Sequence, residues 1–208
     1  MKKVDPFDIE RRSFEIITAE LGERIFDGQT AAVVKRVIHT TADFDYAQNL
    51  YFSAGVIEKA VEALRGGADV VTDTQMARAG INKAAFQKGG GTLHCFMADA
   101  DVAAEAARRQ TTRSAVCMEK AARVAKPLIV AVGNAPTALI RLHELMQAGE
   151  IRPEAVIGVP VGFVNVVESK ELIVGSGAAC IVARGRKGGS NVAAAVVNAL
   201  LYLAFPRD

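Results

Sequence analysis

Residues 128–160 read LIVAVGNAPTALIRLHELMQAGEIRPEAVIGVP. Leu128 to Val132 is an apolar, β-branched run without polar alternation, as a strand covered on both faces requires. A glycine turn follows, and Pro136 opens a stretch to Ala148 whose apolar residues recur at helical spacing. Ala155 to Val159 is a second strand of the same character. Strand, helix and strand at this spacing form a βαβ unit. Outward from it, Ala68–Thr72 and Ala179–Ala183 repeat the strand pattern, and Thr112–Ala125 and Ser190–Ala204 repeat the helical one. The fold expected is α/β, a three-layer α/β/α sandwich with a mainly parallel sheet. Ligand groups in such a sheet gather beyond the carboxyl ends of the strands, here Asp73, Gly133-Asn134, Pro160-Val161-Gly162 and Arg184-Gly185.

The N-terminal third reads as helices. Phe7, Phe14, Ile17 and Leu21 share a stripe over residues 7–21, with Ser13 at its edge and Gly22 as its stop. Over Gln29–Thr40, Val33, Val34, Val37 and Ile38 take one face and leave Lys35, Arg36 and His39 on the other. Asp43 to Tyr46 reads as a loop. A third helix starts from a Ser53 cap and runs through Val56, Ile57, Ala60, Val61 and Leu64 to Gly66-Gly67. No linker or repeat divides the chain, so one domain over residues 1–208 is expected, with helices at about 5–65 and the βαβ section at about 68–205.

Composition narrows the classes. Half of the 208 residues are apolar and 23% are charged, which excludes a disordered chain. Lys and Arg number 25 against 23 Asp and Glu, and a net charge of +2 is too small for general affinity to nucleic acid or a membrane surface. Cys95, Cys117 and Cys180 form no CxxC pair, so neither a disulfide framework nor a zinc site is expected, and a cytoplasmic location fits. The first residues lack the apolar core of a signal peptide, and the apolar stretch Val192–Phe205 is too short for a membrane span.

Among three histidines, His39 is the one whose setting suggests chemistry, because Lys35 and Arg36 project from the same helix face. A solvated basic face is the ordinary alternative. His94, between apolar residues, reads as an interior histidine, and His143, beside Glu144, as a surface one; neither has a metal-ligand spacing. Three glycine turns, 89–91, 175–177 and 185–190, offer amides to anions, yet none fits a dinucleotide or P-loop pattern. Thr111-Thr112-Arg113-Ser114 opens a helix with hydroxyls, amides and a guanidinium, which suits carboxylate capture as well as plain capping.

Arg36-Val37-Ile38-His39-Thr40-Thr41-Ala42-Asp43, Val71-Thr72-Asp73 with Met76 and Gly80-Ile81, Thr111-Thr112-Arg113-Ser114, and above all Gly158 to Asn165 through Glu168-Ser169-Lys170 resemble the precorrin-8X methylmutase family, which includes cobalt-precorrin-8 methylmutases. The resemblance covers nearly the whole chain. It implies a flavodoxin-like sheet, a homodimer with its tetrapyrrole pocket near the subunit interface, and an isomerase that moves a methyl group from C-11 to C-12 of the macrocycle. No metal, flavin or nucleotide cofactor is implied. It further implies His39 as the catalytic residue and Ser13 and Arg36 as substrate-binding residues. Arg113 and Ser114 are added because the substrate carries acetate and propionate arms. Two competing classes remain at this point, a tetrapyrrole carrier without catalysis and a flavin or phosphate binder suggested by architecture alone.

Overall fold

A computed structural model describes residues 8–22 and 26–206. Phe7, and with it the opening of the first expected helix and of the helical section, lies outside those residues. In chain order the elements are α1 (Ile9–Leu21), α2 (Gly28–Thr41), α3 (Tyr46–Asn49), β1 (Leu50–Phe52), α4 (Val56–Arg65), β2 (Asp69–Thr72), α5 (Gln75–Gly80), α6 (Lys83–Gln87) and β3 (Leu93–His94). A 3-10 turn at Phe96–Ala98 leads to α7 (Ala100–Arg109), α8 (Arg113–Ala121), β4 (Leu128–Val132), α9 (Pro136–Gln147), β5 (Ala155–Gly158), α10 (Val166–Gly175), β6 (Cys180–Ala183) and α11 (Ser190–Ala204).

The six strands lie in the order β1-β6-β5-β4-β2-β3, all parallel except β1, which runs antiparallel along β6. Counting the parallel strands alone gives 2-1-3-4-5, the flavodoxin-like order, with its switch point between β2 and β4. The four expected strands are all present. β1 and β3 were not expected, because edge strands of three and two residues are too short to show a periodicity.

Side chains alternate across the sheet with the strand period of two. Val70, Ile129, Ala131, Ile157 and Ile181 pack beneath α2, α4, α5, α6 and α11. Val71, Val130, Val132, Val156 and Val182 pack against α7, α8, α9 and α10. Helix α11 is apolar on every side because it lies on the sheet and is itself covered by α2, α4 and α5. The Val192–Phe205 stretch is therefore an internal helix, and among the described residues no helix is long and apolar enough to cross a membrane.

Two local expectations are corrected. α4 begins at Val56 and not at Ser53, whose hydroxyl instead accepts the amide of Cys180 and ties β1 to β6. Tyr46 is buried and opens α3, where a loop was expected. By contrast α2 is capped as its sequence allows: Asp27 accepts the amides of Gln29 and Thr30, and Ala42 ends the helix in the left-handed region.

At the switch point the buried carboxylate of Asp73 accepts the amides of Gly133, Asn134 and Ala135, each at 2.8 Å. Burial pushes its pKa up, against the three amides that favour the charged form. These bonds fasten the end of β2 to the turn that leads from β4 into α9. Gly133 has no room for a side chain, since a Cβ there would lie 2.8 Å from the Gly189 oxygen and from the Ser190 Cα. The same turn thus seats the start of α11. Asp73→Asn leaves one acceptor oxygen and points an amide donor at a donor, so it should lower the unfolding free energy by about 2 kcal/mol or more. Urea unfolding with an unchanged slope and a lower midpoint is the expected reading; an unchanged midpoint contradicts the role given to Asp73.

Candidate functional site

Two surfaces carry the residues singled out above. The first lies on the outside of the α2 layer. Phe14 of α1 stacks on His39 with ring centroids 5.3 Å apart and planes at 12°. The Arg36 guanidinium sits 4.7 Å from the centre of the same Phe14 ring and 5.0 Å from that of Tyr202 on α11. Its NH1 donates to the Glu10 carboxylate. A groove of about 390 Å³ opens here, lined by Phe14, Ala31, Lys35, Arg36, Tyr202 and Leu203 among others. Arg36 and His39 therefore do not lie on a fully solvated face, because Phe14 of α1 covers them in part. Ser13 neighbours Phe14 on α1, and its hydroxyl donates to the Ile9 carbonyl of its own helix.

The second surface is the carboxyl edge of the sheet. After β5, Val161, Phe163 and Val164 stand exposed, Phe163 at 82%. After β6, the chain from Arg184 to Gly189 folds back on this segment: Gly162 N donates to the Arg186 carbonyl and Gly189 N to that of Val159. The Arg186 guanidinium lies 5.5 Å from the Phe163 ring centre. Lys187 bridges to Asp43 and Asp45 at 2.6 and 2.7 Å, which joins the edge to the chain leaving α2. These partners push the lysine's pKa upward. In the chain His39 lies four residues before Asp43, the partner of Lys187.

Arg113 and Ser114 stand apart from both. They open α8 in the opposite helix layer, with Arg113 exposed and Ser114 buried, its hydroxyl turned toward the Met97 sulfur at 3.9 Å. Thr112 caps this helix through the Ala115 amide. One chain thus brings Arg36, His39 and the helix of Ser13 together and leaves Arg113 on the far side of the sheet.

The remaining candidates sort by their surroundings. His94 is partnered, its Nε2 lying 2.8 Å from the buried Asp69 carboxylate at the amino end of β2. His143 is half-buried with Nδ1 enclosed and unpartnered among the described residues, not on the open surface. The 89–91 turn is fixed by packing: a Cβ on Gly91 would lie 2.2 Å from the Ala68 oxygen. At the switch point, where doubly wound folds receive phosphates, the Asp73 carboxylate already takes the three turn amides. Among the described residues no three His, Cys, Asp or Glu converge on a metal-sized point.

Two side chains of the first surface read otherwise in the sequence, Phe14 as a core residue of its stripe and Tyr202 as part of an apolar helix. Nothing local marks them, since the aromatic sandwich arises from contacts between distant segments. Lys170, which stands in the family-like stretch Glu168-Ser169-Lys170, is buried.

The chain matches the family model described as precorrin-8X methylmutase over residues 8–203. A cobalt-precorrin-8 methylmutase of Priestia megaterium is 44% identical, over 97% of this chain and 89% of the relative. One from Salmonella typhimurium is 45% identical, over 95% of each. A precorrin-8X methylmutase of Pseudomonas aeruginosa is 37% identical, over 92% and 93%. Among solved structures, the precorrin-8x methyl mutase of Thermus thermophilus superposes with a TM-score of 0.88 at 37% identity, over 95% of this chain and 97% of that one.

Proposed function

The chain belongs to the precorrin-8X methylmutase family, and from that premise we propose that the α2 face bearing Arg36 and His39 is its catalytic surface. The protein is an isomerase of corrin biosynthesis, which moves a methyl group from C-11 to C-12 of a precorrin-8-type tetrapyrrole. The reaction breaks one carbon–carbon bond and forms another within the same molecule, so atoms and electrons balance without a co-reactant. What the protein must add is a proton at a ring nitrogen and a fixed macrocycle shape.

The stacked contact of His39 on Phe14 carries this reading. It fixes the plane of the imidazole against Phe14, itself a wall of the groove, where a ring nitrogen of the substrate can take its proton. General acid catalysis of this kind is worth ~10² to 10⁴-fold. Phe14 and Tyr202 orient the Arg36 guanidinium, and Glu10 occupies it as a carboxylate that an acetate or propionate arm replaces. Ser13, on the neighbouring turn of α1, supplies a hydroxyl to the same arm. The relatives at 44% and 45% identity carry the cobalt form in their names, which favours cobalt-precorrin-8 over the metal-free ring as substrate.

The groove is open and small for a tetrapyrrole, and Arg113 stands across the sheet from it. A homodimer answers both points by bringing Arg113 and the helix start at Ser114 from a second copy against His39. The exposed apolar side chains Ile9 and Ile16 of α1, at 51% and 59%, suit such an interface. The proposed partners are thus the tetrapyrrole and a second copy of the chain. A cytoplasmic location is proposed on the same basis as before, the three cysteines being free and buried.

Incubation with cobalt-precorrin-8 and metal-free precorrin-8X in parallel, followed by spectra and product identification, tests the reading. Rearranged product is expected with the cobalt form favoured, and a mere binding shift without a new product overturns it. His39→Ala should lose ~10²-fold or more in turnover with ligand affinity largely kept. A folded variant with near-normal turnover contradicts the assignment. Arg36→Ala should weaken binding, more so at low salt where screening is least; an unchanged dissociation constant removes Arg36 from the site. Sedimentation at micromolar concentration should show a dimer, and a fully active monomer contradicts the interface.

A further inference from the structure

Lys170 is the largest fully buried side chain of the molecule's described residues, and it meets no carboxylate. Its ammonium donates to the carbonyl oxygens of Gly185 and Lys187, each at 2.8 Å. Between those two, the carbonyl of Arg186 accepts from Gly162 N at 3.2 Å. Three successive carbonyls are therefore bound by the chain that follows β5. In a planar trans peptide the N–H points opposite to the C=O, and no peptide bond here is cis. The amides of Arg186 and Gly188 are consequently turned away from Lys170, and that of Lys187 away from Gly162 N; among the described residues none of the three donates to a backbone acceptor.

The loop has little freedom to do otherwise. A Cβ on Gly188 would lie 2.2 Å from the Val159 oxygen and 2.5 Å from that of Pro160, so the backbone rests directly on the end of β5. The side chains around the amides are unequally occupied. Arg184 pairs with Glu171 and Lys187 with Asp43 and Asp45, whereas the Arg186 guanidinium faces only the Phe163 ring. Amides without a protein acceptor beside a guanidinium suit a carboxylate. Burial lowers the Lys170 pKa to about 8, so at neutral pH the ammonium is still present behind the loop.

We infer that Lys170 is a positioning residue for the methyl shift: by clamping the Gly185 and Lys187 carbonyls it presents the amides of Arg186 and Gly188, beside the Arg186 guanidinium, to one carboxylate arm of the tetrapyrrole. The Lys187 bridge to Asp43 keeps this anchor next to the chain that leaves the His39 helix, so an arm held here sets the ring against the acid. The inference rests on the tetrapyrrole reading above.

The test uses the full chain, cobalt-precorrin-8 as ligand, and a second sample of it with the arms methyl-esterified. Lys170→Met removes both clamping bonds at similar length. It should raise KM and the dissociation constant about ten-fold, the scale of one hydrogen bond to a charged group, with kcat changed less than about three-fold. Esterification should weaken binding to the wild type but add a smaller penalty in the variant, a coupling that a purely structural lysine does not produce. In the wild type itself, the backbone amide resonances of Arg186 and Gly188 should move downfield on binding the free acid and not the ester. This last measurement stands even if the variant does not fold. Unmoved amides, or a folded Lys170→Met protein with wild-type affinity, overturn the positioning role. A wild type that neither binds nor converts cobalt-precorrin-8 overturns the tetrapyrrole reading instead, so the two failures are distinct.

Discussion

The three amides gathered by the buried carboxylate of Asp73 are the constraint from which the carboxyl edge follows. A charged group taken out of water is tolerable only when its lone pairs are met, and here they are met by one turn of backbone. That turn decides where α9 starts, and the absence of a side chain on Gly133 lets α11 start against it. Thr74, next along from Asp73, shares a hydrogen bond with Ser190 at 2.8 Å and ties α5 to the same corner. The protein thus fills the anion position of its own switch point, and a substrate with acidic arms has to be met elsewhere.

The surfaces proposed for that role are built outward from α11. Because that helix is largely buried, α2 packs on it as an outer element and α1 packs on α2 in turn. Such stacking leaves Arg36 in a groove between helices, with Phe14 from one neighbour and Tyr202 from the other, and His39 stacked on the same Phe14. The lysine bridge from the β6 loop to Asp43 and Asp45 joins the chain leaving α2 to the sheet edge. On the reading proposed above, recognition and proton transfer fall on two surfaces, one built from helices and one from loops.

The sheet was legible because buried parallel strands are written as uninterrupted β-branched runs, as at Leu128–Val132 and Cys180–Ala183. β1 and β3 were not legible, being too short for a pattern and fixed by partners distant in sequence. The same division holds at the site. Helical spacing sets Arg36 beside His39 but fits a solvated face as well; their roles come from the family resemblance, and only the fold shows α1 lying over them. Arg113 and Ser114 were grouped with His39 by chemistry, and the topology sets them on the opposite layer. Lys170 shows no local sign of its burial, since the carbonyls that receive its ammonium lie 15 and 17 residues further along the chain.

The central claim is that His39 donates the proton that lets a methyl group migrate on the bound ring. Cobalt-precorrin-8 labelled with ¹³C in its C-11 methyl group, followed by carbon NMR with the wild type and with His39→Ala, tests it most directly. The account predicts transfer of the label to C-12 by the wild type and an unmoved label, on a ring still bound, with the variant. Label that stays at C-11 in the wild type, or reaches C-12 equally fast with both proteins, contradicts it.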